Sequence, residues 1–316
     1  MNTDFQRKGN LWNSQQQSRL IESMLLRFPM PAFFFDAEND ERWLVVDGLQ
    51  RLWTFKNYLV DESFGLTGLE ILIEFSDKNV TFSKLSRTMQ RRILETQITT
   101  YIIQPGTPKD VKYNVFRRIN TGGLVLNSME IRNALNQGTA SQFLERLSEN
   151  RRFTRIVPVR NRRMEDRELI LRALSFVVTP PHDYFKPLSR FLDVAMEKVG
   201  RLDLNELSII EHNFLDSIEL SRALFGRHIF SRSIAQRSNV RLNSALFEVW
   251  IAVLSKLTSS ERALLFDRRD ALISRYKLLF ANEVFERSIV TSTSGKAAVS
   301  YRFLYIEDLI KSILND

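Results

Sequence analysis

The residues of this chain best suited to chemistry stand in one short stretch, WLVVDGLQRLWTF, at positions 43–55. An apolar run ends at Asp47, and Gly48 lets the backbone turn before a predicted helix begins. Gln50 and Arg51 open that helix, whose N-terminus and guanidinium both suit a phosphate. A glutamine amide can bind a hydroxyl or a base edge, and a carboxylate can accept from a ribose hydroxyl, bind Mg²⁺ or move a proton. The combination predicts a pocket for a phosphorylated sugar.

The same residues have a simpler interpretation. Asp-Gly turns before helices are common, and Arg51 lies one helical turn after Asp47, where an ion pair between the two can form. In that alternative the stretch is an ordinary connection between a strand and a helix.

A second polar segment, VFRRINTGGLVLNSMEIRNAL at positions 115–135, can form another wall of the pocket. Asn120 lies just before a Gly-Gly turn that lets the backbone approach a ligand closely. Glu130 and Arg132 follow in the first turns of the next predicted helix. The alternative is a plain connection between two helices, with an ion pair between Glu130 and Arg118.

Elements of two kinds must position these residues. The N-terminal part is predicted to be mixed α and β. It has a helix over residues 14–28 with apolar residues at helical spacing from 20 to 28, a hairpin whose second strand ends at Asp47, and further strands in residues 69–76 and 96–105. From about residue 109 the pattern is almost wholly helical. The sequence therefore predicts an α+β protein, with a mixed head over residues 1–108 and a mainly α-helical body over residues 109–316. Residues 288–303 are small and polar enough to predict a mobile loop.

Composition narrows the class of protein. The chain of 316 residues has no cysteine, which excludes disulfides and thiolate metal sites. No window reaches the length of apolar sequence that a membrane helix needs, and the first residues lack the basic and then apolar pattern of a signal peptide. We expect a cytoplasmic protein with no membrane contact.

The positive charge is concentrated in two places and predicts contact with DNA. The net charge is +8, residues 151–172 hold eight arginines against three acids, and residues 221–247 hold five arginines and no acid. Arginine suits bidentate contacts to phosphate, although a solvated basic face is the alternative. The residues predicted to bind DNA are Arg160, Arg162, Arg163, Arg227, Arg232, Arg237 and, in the predicted loop, Lys296.

Four blocks of sequence, in a fixed order, resemble one family. VVDGLQRLWTF resembles the Asp-Gly-Gln-Gln-Arg signature of the ParB/sulfiredoxin-like domains at the N-terminus of GmrSD type IV restriction enzymes and in SspE, with Leu49 in place of the first Gln. The other blocks occupy residues 4–31, 115–135 and 162–174. Together they cover roughly residues 4 to 180.

The resemblance implies a ParB/sulfiredoxin-like head that binds or hydrolyses a nucleoside triphosphate, combined with restriction of DNA. Asp47, Gln50 and Arg51 carry the catalytic positions of the signature. The implied nucleotide or phosphosugar ligands are Gln6 and Arg7 in the opening block, Gly48 in the signature, and Arg118, Asn120, Glu130 and Arg132 in the third block. The substitution at Leu49 removes one polar side chain from this pocket.

Three functions follow from these residues. The first is a defence protein that restricts modified phage DNA with an NTP and Mg²⁺. In this function Asp47 is a ligand of the metal, and no set of protein side chains encloses it. None of the three histidines begins a metal-ligand spacing, so a His-Asn-His nuclease is expected to act in trans. The second is a DNA glycosylase without cofactor that excises a flipped modified base, such as a glucosylated one, at Asp47. The third is a non-catalytic subunit that binds DNA and provides specificity.

Overall fold

The computed structural model describes residues 12–39, 42–119, 127–159, 163–236 and 239–316. The chain divides into two compact units, Met1–Leu135 and Asn136–Asp316. The predicted fold class, α+β, is confirmed, because a small sheet near the N-terminus is followed by a long helical part. None of the described helices is both long and apolar enough to span a bilayer.

The first unit holds a three-stranded sheet and the helices that cover it. The strands are ordered β2-β1-β3, with β2 antiparallel and β3 parallel to β1, and Phe34 in the central strand lies opposite both Asp47 and Tyr101. The elements are α1 (Ser14–Leu25), β1 (Phe33–Asn39), β2 (Arg42–Asp47), α2 (Leu49–Phe55), a π-helix (Lys56–Val60), α3 (Ile73–Asp77), a 3-10 turn (Phe82–Lys84), α4 (Arg87–Leu94), β3 (Thr100–Ile103), α5 (Lys109–Ile119) and α6 (Ser128–Leu135).

Adjacent side chains of β1 point to opposite faces of the sheet, and each face has its own helices. The ring of Phe33 contacts the ring of Phe55 on α2, with centroids 6.0 Å apart. Phe34 packs instead against a cluster that includes Phe116 of α5 and Ile131 of α6. The helical sequence pattern begins at residue 109, within the first unit. Helices α5 and α6 nevertheless belong to that unit, because their apolar faces cover this sheet.

The strand predicted over residues 69–76 is wrong. Residues 73–77 form helix α3, and the backbone before it is bound by a side chain from α1. The carboxylate of Glu22, which is 5% exposed, accepts the N–H groups of Glu70 at 3.2 Å and of Ile71 and Leu72 at 2.8 Å. Those amide groups are therefore not available to a strand partner.

Replacing Glu22 by glutamine is expected to lower the free energy of unfolding by about 2 kcal/mol at neutral pH, since hydrogen bonds to a charged acceptor are lost. Burial alone would raise the pKa of Glu22, but the three N–H groups and Arg19 bring it below the ordinary value. The stabilisation is thus complete above the unfolded pKa of about 4.3 and is lost as pH falls through the lower folded pKa. Urea titrations from neutral to acidic pH should show a shallower pH dependence in Glu22→Gln than in the parent.

The control for this experiment is Glu70→Gln, which changes an exposed carboxylate in the same loop, paired with Arg19 at 2.8 Å. A pH dependence that fell equally in both variants would contradict the role assigned to Glu22.

The second unit is helical in its described residues. Its elements are α7 (Thr139–Glu149), α8 (Arg151–Ile156), α9 (Glu165–Val178), α10 (Leu188–Arg201), α11 (Leu204–Phe225), α12 (Ser244–Leu254), α13 (Ser259–Asp267), α14 (Arg269–Leu279), α15 (Glu283–Val290) and α16 (Lys296–Asn315), with 3-10 turns at Pro181–Asp183, Gly226–His228 and Arg232–Ile234. Helix α12 is apolar on all sides and buried from Ala245 to Leu254, so it forms the centre of this unit. Its one acid, Glu248, is paired with Arg302 and with Arg172.

The mobile loop predicted over residues 288–303 is wrong. Helix α15 continues to Val290 and α16 begins at Lys296, which leaves a short connection. Two side chains hold that connection: the Tyr184 hydroxyl donates to Ser294 O and the Arg302 guanidinium donates to Thr293 O, each at 2.7 Å. Small polar residues indicated a loop, but buried donors from elsewhere in the unit fix it.

Candidate functional site

The turn between β2 and α2 requires glycine. Gly48 has φ +102°, a conformation that other residues rarely adopt, and it stands before the first residue of α2. A Cβ atom at this position would lie 2.4 Å from Cδ1 of Phe33, whose ring is fully buried. The turn therefore places Asp47 at the end of β2 only because position 48 has no side chain.

Arg51 points into the protein. Its Nη2 donates to Asp47 Oδ2 at 2.8 Å and to Ala32 O at 3.1 Å, and its Nη1 donates to Pro31 O. The guanidinium carbon lies 4.4 Å from the centre of the Phe33 ring, and the residue is 8% exposed. Burial lowers the pKa of Arg51, and the charge of Asp47 opposes that effect.

The ion pair between Asp47 and Arg51, the simpler interpretation of the sequence, is thus present. The two side chains of this pair differ in their exposure to solvent. Arg51 is satisfied by protein acceptors and does not face solvent, whereas the Asp47 side chain is 28% exposed. The carboxylate of Asp47 is therefore the accessible group of this pair, and Arg51 fixes one of its oxygens.

Gln50 belongs to a chain of amide hydrogen bonds that the sequence did not reveal. Its Oε1 accepts the backbone N–H of Trp12 at 3.3 Å, and the carbonyl of Trp12 accepts from Gln17 Nε2 at 2.8 Å. Asn57 Nδ2 donates in turn to Gln17 Oε1 at 3.1 Å. The available signal was that Gln17 falls on the same helical stripe as Leu20 and Ile21, a position normally apolar. These amides attach Trp12 beside the signature.

The second polar segment, residues 115–135, is close to the signature, and its described residues are mostly buried. Val46, the neighbour of Asp47, lies in one apolar cluster with Phe116 and Ile131, so α5 and α6 pack against the end of β2. Glu130 is 2% exposed and forms a capping box: its N–H donates to Asn127 Oδ1 at 2.8 Å, and its Oε2 accepts from Asn127 N at 2.7 Å.

The two arginines of this segment that were assigned to the pocket, Arg118 and Arg132, differ in exposure. Arg132 is 1% exposed and lies against Met129, with Nη1 3.8 Å from the sulfur. Arg118 is exposed on α5, and the ion pair with Glu130 that the simpler interpretation predicted is not found among the described residues. Arg118 is thus open to solvent, whereas Arg132 is not.

A buried ion pair joins the sheet to α5. Lys112 Nζ lies 2.9 Å from Asp36, and the side chains are 3% and 1% exposed. Sequence reasoning missed this pair because the two residues are far apart in the chain and charged side chains on a helix are usually solvated. The pair fixes α5, and with it Arg118, relative to β1.

Several predicted site residues lie outside the described residues: Gln6, Arg7, Asn120, Arg160, Arg162 and Arg237. Among the residues that are described, no group of three or more histidine, aspartate or glutamate side chains could bind a metal ion. Mg²⁺ in nucleotide sites is commonly bound by one or two carboxylates together with substrate phosphates, and Asp47 can supply one such ligand.

The predicted DNA contacts fall into two groups. Arg163, Arg227 and Lys296 are exposed. Arg232 is half-buried and pairs with Glu286 of α15, so the stretch that holds no acid in sequence is partly neutralised in three dimensions. Arg152 is neutralised in the same way, by Asp216 and Glu219 at 2.7 Å.

Residues 2–137 match the model of a family described as GmrSD restriction endonuclease, N-terminal domain. The match ends close to Leu135, where the first compact unit ends. Comparisons with curated proteins and with solved structures gave no match. The resemblance of the first three sequence blocks is thereby confirmed, and the fourth block, at residues 162–174, lies beyond the matched region.

Proposed function

We propose that this protein is a restriction factor that uses a nucleoside triphosphate against modified phage DNA. Its residues 2–137 match the GmrSD-type N-terminal domain. The family indicates a function in DNA restriction and hence in defence against phage. The observation that carries the finer proposal is the fixed and accessible carboxylate of Asp47, which lies at the strand end with one oxygen held by Arg51 at 2.8 Å.

Asp47 and Gln50 are the groups that would contact the nucleotide. A carboxylate with one oxygen held in place presents the other to a ribose hydroxyl or to Mg²⁺, and the Gln50 amide lies one helical turn further on. When bound, Mg²⁺ would neutralise charge on the phosphates. Arg51 acts as a positioning residue in this proposal, because its guanidinium is buried and donates to Asp47, Pro31 and Ala32.

The phosphates are assigned to other cations of the first unit. Arg118 is exposed on α5, which packs against the end of β2. Gln6 and Arg7 are assigned here through the family resemblance alone. Glu130 and Arg132 support this wall from inside and do not contact the ligand.

The second unit is proposed to bind the DNA backbone through Arg163, Arg227 and Lys296, which are exposed. Strand cleavage is assigned to a nuclease partner. This assignment rests on the sequence, in which none of the three histidines begins a metal-ligand spacing.

The test is to incubate the purified protein with unmodified, hydroxymethylated and glucosylated DNA, with and without Mg²⁺ and an NTP mixture. Released phosphate and strand breaks before and after alkali are measured together. We expect phosphate release that modified DNA stimulates, with both strands intact. Breaks that alkali reveals without nucleotide would identify a glycosylase instead, and DNA binding with neither product would identify a non-catalytic specificity subunit.

A further inference from the structure

Arg227 is oriented by a histidine instead of a carboxylate. At the C-terminal end of α11, Arg227 Nε donates to His228 Nε2 at 3.2 Å. His228 Nδ1 lies 2.9 Å from Ser233 Oγ, which lies 2.9 Å from Ser231 Oγ. Because Nε2 accepts from Arg227, it carries no proton, and Nδ1–H is the donor to Ser233. The imidazole is therefore neutral in this arrangement.

This arrangement leaves the charge of Arg227 uncompensated. The neighbouring Arg232 is held by Glu286, and Arg152 of α8 is held by Asp216 and Glu219. A carboxylate that orients an arginine also neutralises its positive charge. A neutral imidazole orients the arginine and leaves that charge unchanged. In the described part of the chain, no carboxylate forms an ion pair with Arg227.

A second cation comes from α14. The ring of Tyr276 contacts the ring of Phe225 at 5.4 Å, and Arg269 Nε donates to Leu224 O at 2.7 Å, so α14 packs against the end of α11. Lys277 follows Tyr276. Burial lowers the pKa of His228, and the charges of Arg227 and Lys277 lower it further.

Two cations and two hydroxyls are therefore the polar groups near the imidazole. Arg227 comes from its own turn, Lys277 from α14, and the hydroxyls of Ser231 and Ser233 from the following 3-10 turn. Glu286 of α15 is bound to Arg232 and Gln236. Two like charges beside a neutral ring repel each other, and an anion between them would remove that cost.

We propose that Arg227, His228 and Lys277 form a binding site for a phosphate of the DNA backbone, and that His228 takes up a proton when the phosphate binds. The choice of DNA as the source of the phosphate rests on the proposed function. His228 is the positioning residue: it holds Arg227 in the free protein and donates to the same phosphate once it is charged.

The pH dependence has a definite sign. His228 is harder to protonate in the free protein than an ordinary histidine, whose pKa is about 6.5, and a bound phosphate reverses this effect. DNA binding is then accompanied by proton uptake, so affinity rises as pH falls below about 7. One proton gives at most about a tenfold change in affinity per pH unit, and we expect about threefold to tenfold between pH 8 and pH 6.

The experiment is fluorescence anisotropy with a short labelled unmodified duplex, without nucleotide, at constant ionic strength and at two pH values. His228→Gln keeps an acceptor for Arg227 and a donor for Ser233 but cannot be protonated. It should bind as the parent does at the higher pH and lose the gain at the lower pH. Arg227→Ala and Lys277→Ala should each weaken binding and reduce the salt slope by about one unit.

Arg287→Ala is the matched control, because it removes one exposed arginine that pairs with Glu283 on its own helix, at 3.4 Å. The inference is overturned if His228→Gln keeps the full pH dependence, if Arg227→Ala binds no more weakly than this control, or if the parent does not bind the duplex. Because no nucleotide is present, a failure of NTP hydrolysis would leave these results unchanged and would count only against the proposed function.

Discussion

Replacing Asp47 by asparagine is expected to lower phosphate release stimulated by DNA by about a hundredfold or more, the scale expected when a group central to proton transfer or metal binding is lost. The amide oxygen of asparagine can still accept from Arg51, so the turn keeps its geometry. The amide lacks the negative charge that a metal ion or a hydroxyl proton requires. Arg51 retains the carbonyls of Pro31 and Ala32 and the Phe33 ring as partners.

Steady-state phosphate release, with thermal denaturation of the same samples, measures this effect. Asp61→Asn is the control, because Asp61 is an exposed carboxylate of the same unit that pairs with Lys56. Parental activity in a folded Asp47→Asn protein would remove Asp47 from the site. A parallel loss in Asp61→Asn would attribute the effect to charge in general.

The second large effect is expected in stability. Gly48→Ala should lower the free energy of unfolding of the first unit by about 3 to 5 kcal/mol, because it combines backbone strain with overpacking. The backbone at this position has φ +102°, and the new Cβ would lie 2.4 Å from Phe33 Cδ1. Phe33 cannot move aside easily, since Arg51 lies over its ring and Phe55 lies against it.

Gly106→Ala separates the two causes. Gly106 also has a positive φ, +81°, but no atom lies within 4 Å of the position that a Cβ would take. Only the backbone strain remains, for which about 1 to 2 kcal/mol is expected. Urea denaturation of both variants gives the difference, and equal losses would show that the contact with Phe33 is relieved at no cost.

Local sequence patterns predicted those secondary-structure elements that are determined by residues close together in the chain. The strand that ends at Asp47, the Gly48 turn and the helix after it all follow from short-range periodicity and turn chemistry, and so does the helical second unit. The place of the candidate site was therefore predictable. The α+β class followed from the same patterns.

The direction of each side chain was not predictable, because its partners are distant in sequence. Arg51 is drawn inward by carbonyls at positions 31 and 32, and Lys112 by Asp36. The apolar residues 69–76 have the composition of a strand, yet Glu22 of α1 binds the backbone there. Arg232 lies in a stretch without acids, and Glu286 reaches it from another helix.

The hydrogen bond between Trp12 N–H and Gln50 Oε1 couples the start of the described chain to the candidate site. A ligand that donates to this oxygen competes with Trp12, at a cost of about 1 kcal/mol for the displaced bond. A ligand that binds elsewhere in the pocket leaves the attachment intact. Because such coupling is reciprocal, ligand binding and the formation of the hydrogen bond from Trp12 N–H to Gln50 are linked equilibria. The hydrogen exchange rate of the Trp12 backbone amide therefore reports on both.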